Sequence, residues 1–511
     1  MRRTTRHAGA ALLVFSAAAA SGIVCSFLVA TGGPILHARW TLLVELGLWA
    51  LAWLTAVVAV FRLPWRLAVV LVIATAVGLR AVALVGTPNT SDDLYRYAWD
   101  GRVQAHGIDP YTAPPLAPGL SKLRDSWLWP DAAGCATLAR PPGCTRINRP
   151  AERTIYPPVA EAWFTVVHAV GGDRGRDKAW QVAGLATDTA VIGLLLLALR
   201  RWRRDPRWVA LYALCPAAVF EFVHNAHVDG LAVALMVGAF VVALPPGEKP
   251  PSAARDVAVG LLIGAAALVK LYPAAVLLVI LCLPRARPWR SLLRATGAAA
   301  ALTAITYAPH IHAVGLRVLG YLPGYLREEH YSSGGRFLLA GALGLHGTAA
   351  GALASIALLS VAGWVVWRRP DAPRAAAVVL VALFLVTTPV QPWYAVSAVA
   401  LGSLAGWPAP AVVAAAGYPY YFAVILDYRH AAGLAQLCYA AALAFVVTGA
   451  LGRRLRRLDP SEVERPAAVE AAVARGPVPR GEHGPPSAVT VDESLEPAGR
   501  RLAGGTLQHR A

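Results

Sequence analysis

Apolar residues fill most of this chain in blocks that approach or exceed a bilayer's width. Polar residues gather between them in short arginine-rich links and in one long interval. A helix needs roughly 20 residues to cross about 30 Å of hydrocarbon. Blocks of this kind lie at 9–31, 41–61, 66–86, 178–199, 207–222, 229–245, 256–270, 272–284, 291–308, 348–367, 374–390, 393–407, 409–426 and 431–451. The pattern predicts an all-α polytopic membrane protein with about 12–14 transmembrane helices. Residues 1–86 hold the N-terminal helices, 87–177 a large polar loop, and 178–451 the transmembrane core. Residues 452–511 turn to Pro, Glu, Arg, Gly and Ser and predict a disordered cytoplasmic tail, with a short helix at 462–473 as the exception.

The arginines orient these helices. Arg2, Arg3 and Arg6 precede the first block, and Arg62 and Arg66 follow the second. Further clusters lie at Arg200–Arg204, Lys249 and Arg255, Arg285–Arg290, Arg368–Arg374 and Arg453–Arg457. All fall on one side if both termini are cytoplasmic, as basic loops require. That assignment needs a chain break at Pro273, between the seventh and eighth blocks. The opposite, external face of the cell membrane then carries 87–177, 224–229, 310–336 and 389–394, where the unusual polar and aromatic residues converge. The first apolar run is long for a signal peptide and reads as a retained anchor.

Composition agrees: 57% of the 511 residues are hydrophobic and only 15% are charged, against about 25% charged in soluble domains. The net charge of +18 would suit a nucleic-acid binder, but its arginines sit in the links between helices, so it is a topology signal and no nucleic-acid partner is expected. The lipid bilayer is the expected partner. Of six cysteines, Cys25, Cys215, Cys282 and Cys438 lie in apolar blocks, while Cys135 and Cys144 lie in the polar loop, where an external location favours a disulfide between them.

The stretch Thr90-Ser91-Asp92-Asp93-Leu94-Tyr95-Arg96-Tyr97-Ala98-Trp99-Asp100-Gly101-Arg102-Val103-Gln104 is the densest in chemistry. Read as a helix over 92–106, it puts Asp93, Arg96, Tyr97, Asp100 and Gln104 on one face, with Leu94, Ala98 and Val103 free to rest on the membrane surface. Asp92 and Asp93 suit the positive end of the helix dipole, so they have a purely structural reading. They also suit a general base at the membrane boundary, where a lipid-phosphate-linked sugar has its reactive carbon. Arg96, Arg102 and Lys270 are then candidates to stabilise the departing phosphate. No glycine-rich nucleotide-binding pattern occurs in a fitting context, in agreement with a lipid-linked donor.

The run Ser91–Val103 with Gly107-Ile108-Asp109-Pro110-Tyr111 resembles the first external loop of bacterial GT-C glycosyltransferases, the mannosyltransferase-like group that includes glycosyltransferase family 87. Arg146-Ile147-Asn148-Arg149-Pro150, Thr154–Pro158, His224–Asp229, Leu268–Pro273, Ser333–Phe337 and Gln391–Tyr394 agree in order. The resemblance implies a GT-C-like bundle with amphipathic helices in the first external loop. It also implies inverting transfer from a polyprenyl-phosphate sugar donor to a cell-envelope glycan or glycolipid acceptor. Such transfer is metal-independent or assisted by a divalent cation such as Mg or Mn. By position the catalytic acid is Asp93 or Asp92, with Asp93 preferred. Two apolar blocks precede the one leading into the loop, where many such enzymes have one leading helix.

Each remaining candidate has a plainer alternative. Lys270, beside Tyr272 and the break, contacts phosphate or merely snorkels. His227 and Asp229 bind sugar, or a metal, or Asp229 only caps the next helix. Arg336 reaches the phosphate past Gly334-Gly335, or the glycines only form a turn. Trp393 is a sugar platform or part of an interfacial belt. Tyr97, Asp100 and Tyr156 are further substrate-binding candidates, and buried Arg80 is expected to pair with Asp92 or Asp93. The rival class is a transporter or flippase of a lipid-linked saccharide, which should need polar groups reachable from both faces.

Overall fold

The computed structural model describes residues 2–35, 39–244, 252–331 and 333–458, and among these there is helix and no strand. The chain forms two units, Met1–Ala450 and Leu451–Ala511. The second has helix over the described residues 451–458, where a tail was expected. The remainder of that tail, the helix expected at 462–473, and Lys249 lie outside the described residues.

Every apolar block contains a helical segment, but the lengths differ from the expectation. Among the described residues, six helices are long and apolar enough to cross a membrane: Ala8–Thr31, Thr41–Val60, Trp65–Ala83, Arg176–Arg201, Gly347–Arg368 and Ala431–Ala450. The block at 207–222 splits into Pro206–Ala213 and Ala218–His224, bent by 61°, and counts as a seventh only if the pair is one span. Asp229–Ala243, Ala372–Val386, Pro392–Ala405 and Pro410–Ile425 are shorter, and at 1.5 Å per residue they rise only about 21–24 Å. Tyr272–Cys282 is a 3₁₀ helix that starts beside Pro273, so the chain break expected there exists. The chain is thus an all-α polytopic membrane protein, and among the described residues six or seven helices span fully by length and composition alone, against about 12–14 expected.

The loop between Trp65–Ala83 and Arg176–Arg201 has its own core. We label its main helix α4 (Asp93–Ala105), following α1 (Arg2–Thr31), α2 (Thr41–Val60) and α3 (Trp65–Ala83). Leu94, Tyr97, Trp99 and Val103 of α4 pack with Leu128, Ile147, Tyr156, Phe164 and Trp180. All ten residues from Leu94 to Val103 are buried, so α4 is enclosed and does not lie along a membrane surface with one face exposed. Helix Pro158–Gly171 approaches it closely at Gly101, where a Cβ would sit 2.5 Å from the Phe164 carbonyl oxygen. Tyr97 stacks on Phe164 at 4.5 Å, with the planes 12° apart. The Cys135–Cys144 disulfide closes a small loop in this region.

Buried charge also locks the spanning helices. Arg80 of α3 pairs with Asp188 of helix Arg176–Arg201 at 2.5 Å and donates to the Ala213 carbonyl at 2.7 Å. Its partner is therefore neither Asp92 nor Asp93. Asp188 also accepts from the Tyr212 hydroxyl at 2.7 Å. The expected pairing fails because Asp188 comes from a helix more than a hundred residues away in sequence.

Candidate active site

A cavity of about 1450 Å³ opens beside the start of α4. Its walls come from the α3–α4 connection, the polar loop, the break around Lys270, residues 318–336 and the segment 383–394. Its apolar lining includes Leu271, Ala275, Leu319, Leu322, Leu383 and Phe384, and its cations include Arg140, Arg146, Arg149, Lys270 and Arg336.

Asp92 and Asp93 both line this cavity, in different settings. Asp92 stands just before α4, and its carboxylate meets Arg140 at 2.5 Å. Burial pushes the Asp92 carboxyl above its ordinary range, and the Arg140 charge opposes that shift. Asp93 is the first residue of α4, and its backbone N–H donates to the Ser91 hydroxyl at 3.2 Å. One carboxylate oxygen of Asp93 accepts from the Asn148 amide at 2.7 Å. The other lies 3.6 Å from His227 Nδ1. Asp93 thus keeps an oxygen free of a strong cation, as a proton acceptor needs.

Asn225 fixes the approach to these acids. Its side-chain oxygen accepts from the backbone N–H groups of Asn89 and Thr90 at 3.2 and 3.4 Å, and its amide donates to the Thr90 hydroxyl at 2.8 Å. The Tyr421 hydroxyl donates to the Thr90 carbonyl at 2.6 Å. Asn225 is presented by a π-helical turn, Ala218–His224, which packs against Gly184, where a Cβ would come within 2.0 Å of the Phe222 carbonyl.

The other candidates divide. Lys270 lines the cavity, sits 5.0 Å from the ring centre of Tyr156 and 5.1 Å from that of Tyr394, and lies 3.6 Å from Asp229. Arg336 lines it too, paired with Glu329 and set over the Tyr331 ring at 5.4 Å. Tyr156, Tyr272 and Trp393 are wall residues, as is Arg96. Arg96, however, is already occupied, donating to both Asp100 oxygens at 3.0 Å and to the Glu152 carbonyl at 3.0 Å. His227 and Asp229 are fully buried behind the wall. Asp229 opens helix Asp229–Ala243, and its carboxylate accepts no hydrogen bond.

Three expectations do not hold in this geometry. Arg102 points away from the cavity and pairs with Asp125 at 2.6 Å and Asp173 at 2.8 Å, where it ties the loop together. Tyr97 is buried in aromatic packing. Asp100 faces Arg96 and Glu161 inside the loop. Helical spacing placed Tyr97 and Asp100 on one face with Asp93, but α4 turns away from the cavity after Arg96 and buries every face.

Sequence reasoning missed Asn148, Arg140 and Glu221. Asn148 lies within Arg146–Pro150, where nothing local marks its reach to Asp93. Glu221 was hidden in an apolar-looking run, where a lone acid in Phe220-Glu221-Phe222 was the available signal. Among the described residues no set of three or more His, Cys, Asp or Glu side chains is arranged to hold a metal ion.

Comparison with known proteins finds one family. No curated protein and no solved structure matches the chain. Residues 154–389 match the family model of glycosyltransferase family 87. That segment supplies Tyr156, Lys270, Tyr272 and Arg336 of the cavity wall, as well as His227 behind it. Over this segment, which builds much of the charged and apolar cavity, the helical membrane protein is similar to glycosyltransferase family 87, and the match supports a GT-C-like glycosyltransferase assignment.

Proposed function

We propose that this glycosyltransferase moves mannose from a polyprenyl-phosphate donor to a cell-envelope glycan or glycolipid acceptor, on the external face of the cell membrane. Asp93 takes the proton of the acceptor hydroxyl as that oxygen attacks the anomeric carbon. The bond from that carbon to the donor phosphate breaks, with inversion, and the phosphate leaves with the electron pair. Lys270 and Arg336 offset the charge that develops on it. The apolar wall receives the prenyl chain.

The observation that carries this reading is the position of Asp93. It lines a single cavity that also holds cations and an apolar wall, and its hydrogen bond to Asn148 leaves one carboxylate oxygen for a substrate. A lipid phosphate needs both kinds of wall, and an acceptor hydroxyl needs the carboxylate.

The test uses full-length protein in vesicles, with radiolabelled polyprenyl-phosphate mannose or glucose as donor and envelope lipid extract as acceptor. Labelled glycolipid formed from the mannose donor supports the reading. Label accepted only from glucose overturns the sugar. Donor moved across the vesicle wall with no product would point to a flippase instead.

A further inference from the structure

Behind Asp93 lies a line of buried polar groups that the transfer step above does not use. His227 Nδ1 is 3.6 Å from Asp93 Oδ2, and His227 Nε2 is 3.4 Å from Glu221 Oε2. Neither contact closes as a hydrogen bond: both ring nitrogens and Glu221 Oε2 are buried with no hydrogen-bond partner. His227 is 1% exposed and Glu221 2% exposed. Leaving three such atoms unpaired costs about 1–3 kcal/mol each, and their mutual alignment gives the arrangement a purpose.

The line is held firmly at both ends. The Glu221 carboxylate accepts from the Tyr418 hydroxyl at 2.7 Å through its other oxygen. The His227 backbone N–H donates to the Glu221 carbonyl at 2.9 Å, so the two residues are set by one local turn. That turn is the π-helical segment Ala218–His224 followed by Ala226 at φ +56°, and π-turns of this kind recur where a side chain must be re-aimed. The imidazole stacks on Trp393 at 3.9 Å, with the planes 16° apart, and Trp393 is a wall of the cavity. A histidine with only a packing role would need one acid nearby at most. This one has an acid facing each nitrogen.

We infer that Asp93, His227 and Glu221 form a proton line in which His227 positions the base and takes the proton on from it. This rests on the assignment of Asp93 as base. In the resting state the Nε2–H of neutral His227 points to Glu221, and the lone pair of Nδ1 points to Asp93. When the acceptor oxygen bonds to the anomeric carbon, its proton goes to Asp93, and the phosphate leaves with the electrons of the broken bond. The proton then passes from Asp93 to Nδ1, which gives an imidazolium flanked by two carboxylates and restores the Asp93 anion. After product leaves, the proton returns through Asp93 to water. His227 and Glu221 do not touch the reacting atoms and are positioning residues.

Steady-state transfer is measured on the full-length protein in vesicles, with polyprenyl-phosphate mannose varied against envelope lipid extract, for wild type, Asp93→Asn, His227→Gln, Glu221→Gln and the double variant. His227→Gln should lower kcat by about 100-fold and Glu221→Gln by about 10-fold, with KM for the donor within about twofold. The double variant should be no slower than His227→Gln, because residues acting as one line do not lose independently. Unfolding temperatures identify a variant that fails to fold, and either single variant then carries the test. The line is overturned if both singles keep kcat within about twofold of wild type, if KM rises while kcat holds, or if the two losses multiply. If Asp93→Asn loses transfer while both singles work normally, the line fails and Asp93 stands. If Asp93→Asn keeps turning over, the base assignment fails and takes the line with it.

Discussion

Two charged regions lie within one helix of each other and are built in opposite ways. Along the inner length of α4, polar groups are closed onto one another: Arg96 with Asp100, Arg102 with Asp125 and Asp173, and Gln104 with Glu161 at 2.8 Å. At the N-terminal end of the same helix, Asp93 and Glu221 face His227, Asp229 faces Lys270, and atoms of His227, Glu221 and Asp229 are buried without hydrogen bonds. Tyr97 Oη and Arg102 Nε are also buried without a hydrogen bond, so the difference lies in what the acids face: along the helix they meet arginines, and at its start Asp93 and Glu221 meet His227. On the proposed function, the closed region holds the loop in shape and the open region carries the transfer.

Substitutions in the two regions should separate stability from turnover. The largest stability effect is expected in the spanning helices, which share the closed design. Asp188→Ala leaves Arg80, itself 3% exposed, without its partner. It should destabilise the protein by about 3–5 kcal/mol, read as a lower unfolding temperature in detergent. An unchanged temperature would mean that this pair does not lock the helices.

Opening the disulfide with Cys135→Ser and Cys144→Ser together removes a nine-residue closure. It should lower stability by about 2–3 kcal/mol. It should also loosen Arg140, which lies inside that loop and donates to the Thr145 carbonyl at 2.5 Å. Equal chemical unfolding of oxidised and double-serine protein would contradict this. Asn148→Ala belongs to the open region. It removes one hydrogen bond from Asp93 and should slow transfer by about tenfold, equivalent to about 1.4 kcal/mol, while leaving the unfolding temperature near wild type. A stability loss with normal turnover would put Asn148 in the closed region instead.

The smallest effect concerns Glu161, which burial and the neighbouring Asp100 hold well above the ordinary carboxylate range. Because its folded value lies above its unfolded one, its contribution is full at low pH and fades as pH rises through the folded value. Glu161→Gln mimics the neutral form. It should therefore flatten the fall in unfolding temperature from about pH 5 upward. A wild-type profile no steeper than that of the variant would show that Glu161 is not held neutral.

Much of this organisation was legible from residue order. The apolar blocks each contain a helical segment, because hydrophobic length and helix-breaking residues are local properties. The break at Pro273 is visible for the same reason. The helix at Asp93–Ala105 follows from its spacing and start. What the helix touches did not follow. Periodicity assigns a helix one wet face and one dry face, but α4 is buried all round, so Tyr97, Asp100 and Arg102 share its sequence signal without sharing the cavity. Pairings between distant segments, such as Arg80 with Asp188 and Asp93 with Asn148, leave no local trace. Glu221 was missed because one acid among phenylalanines does not alter an apolar pattern.

The most direct test of the account is the turnover of Asp93→Asn beside that of Asp100→Asn, each measured with its unfolding temperature. The account predicts that Asp93→Asn unfolds like wild type yet transfers at least about a thousandfold more slowly. It predicts that Asp100→Asn loses stability through Arg96 but keeps normal turnover in its folded fraction. Near-normal transfer by folded Asp93→Asn, or a catalytic loss confined to Asp100→Asn, would contradict it.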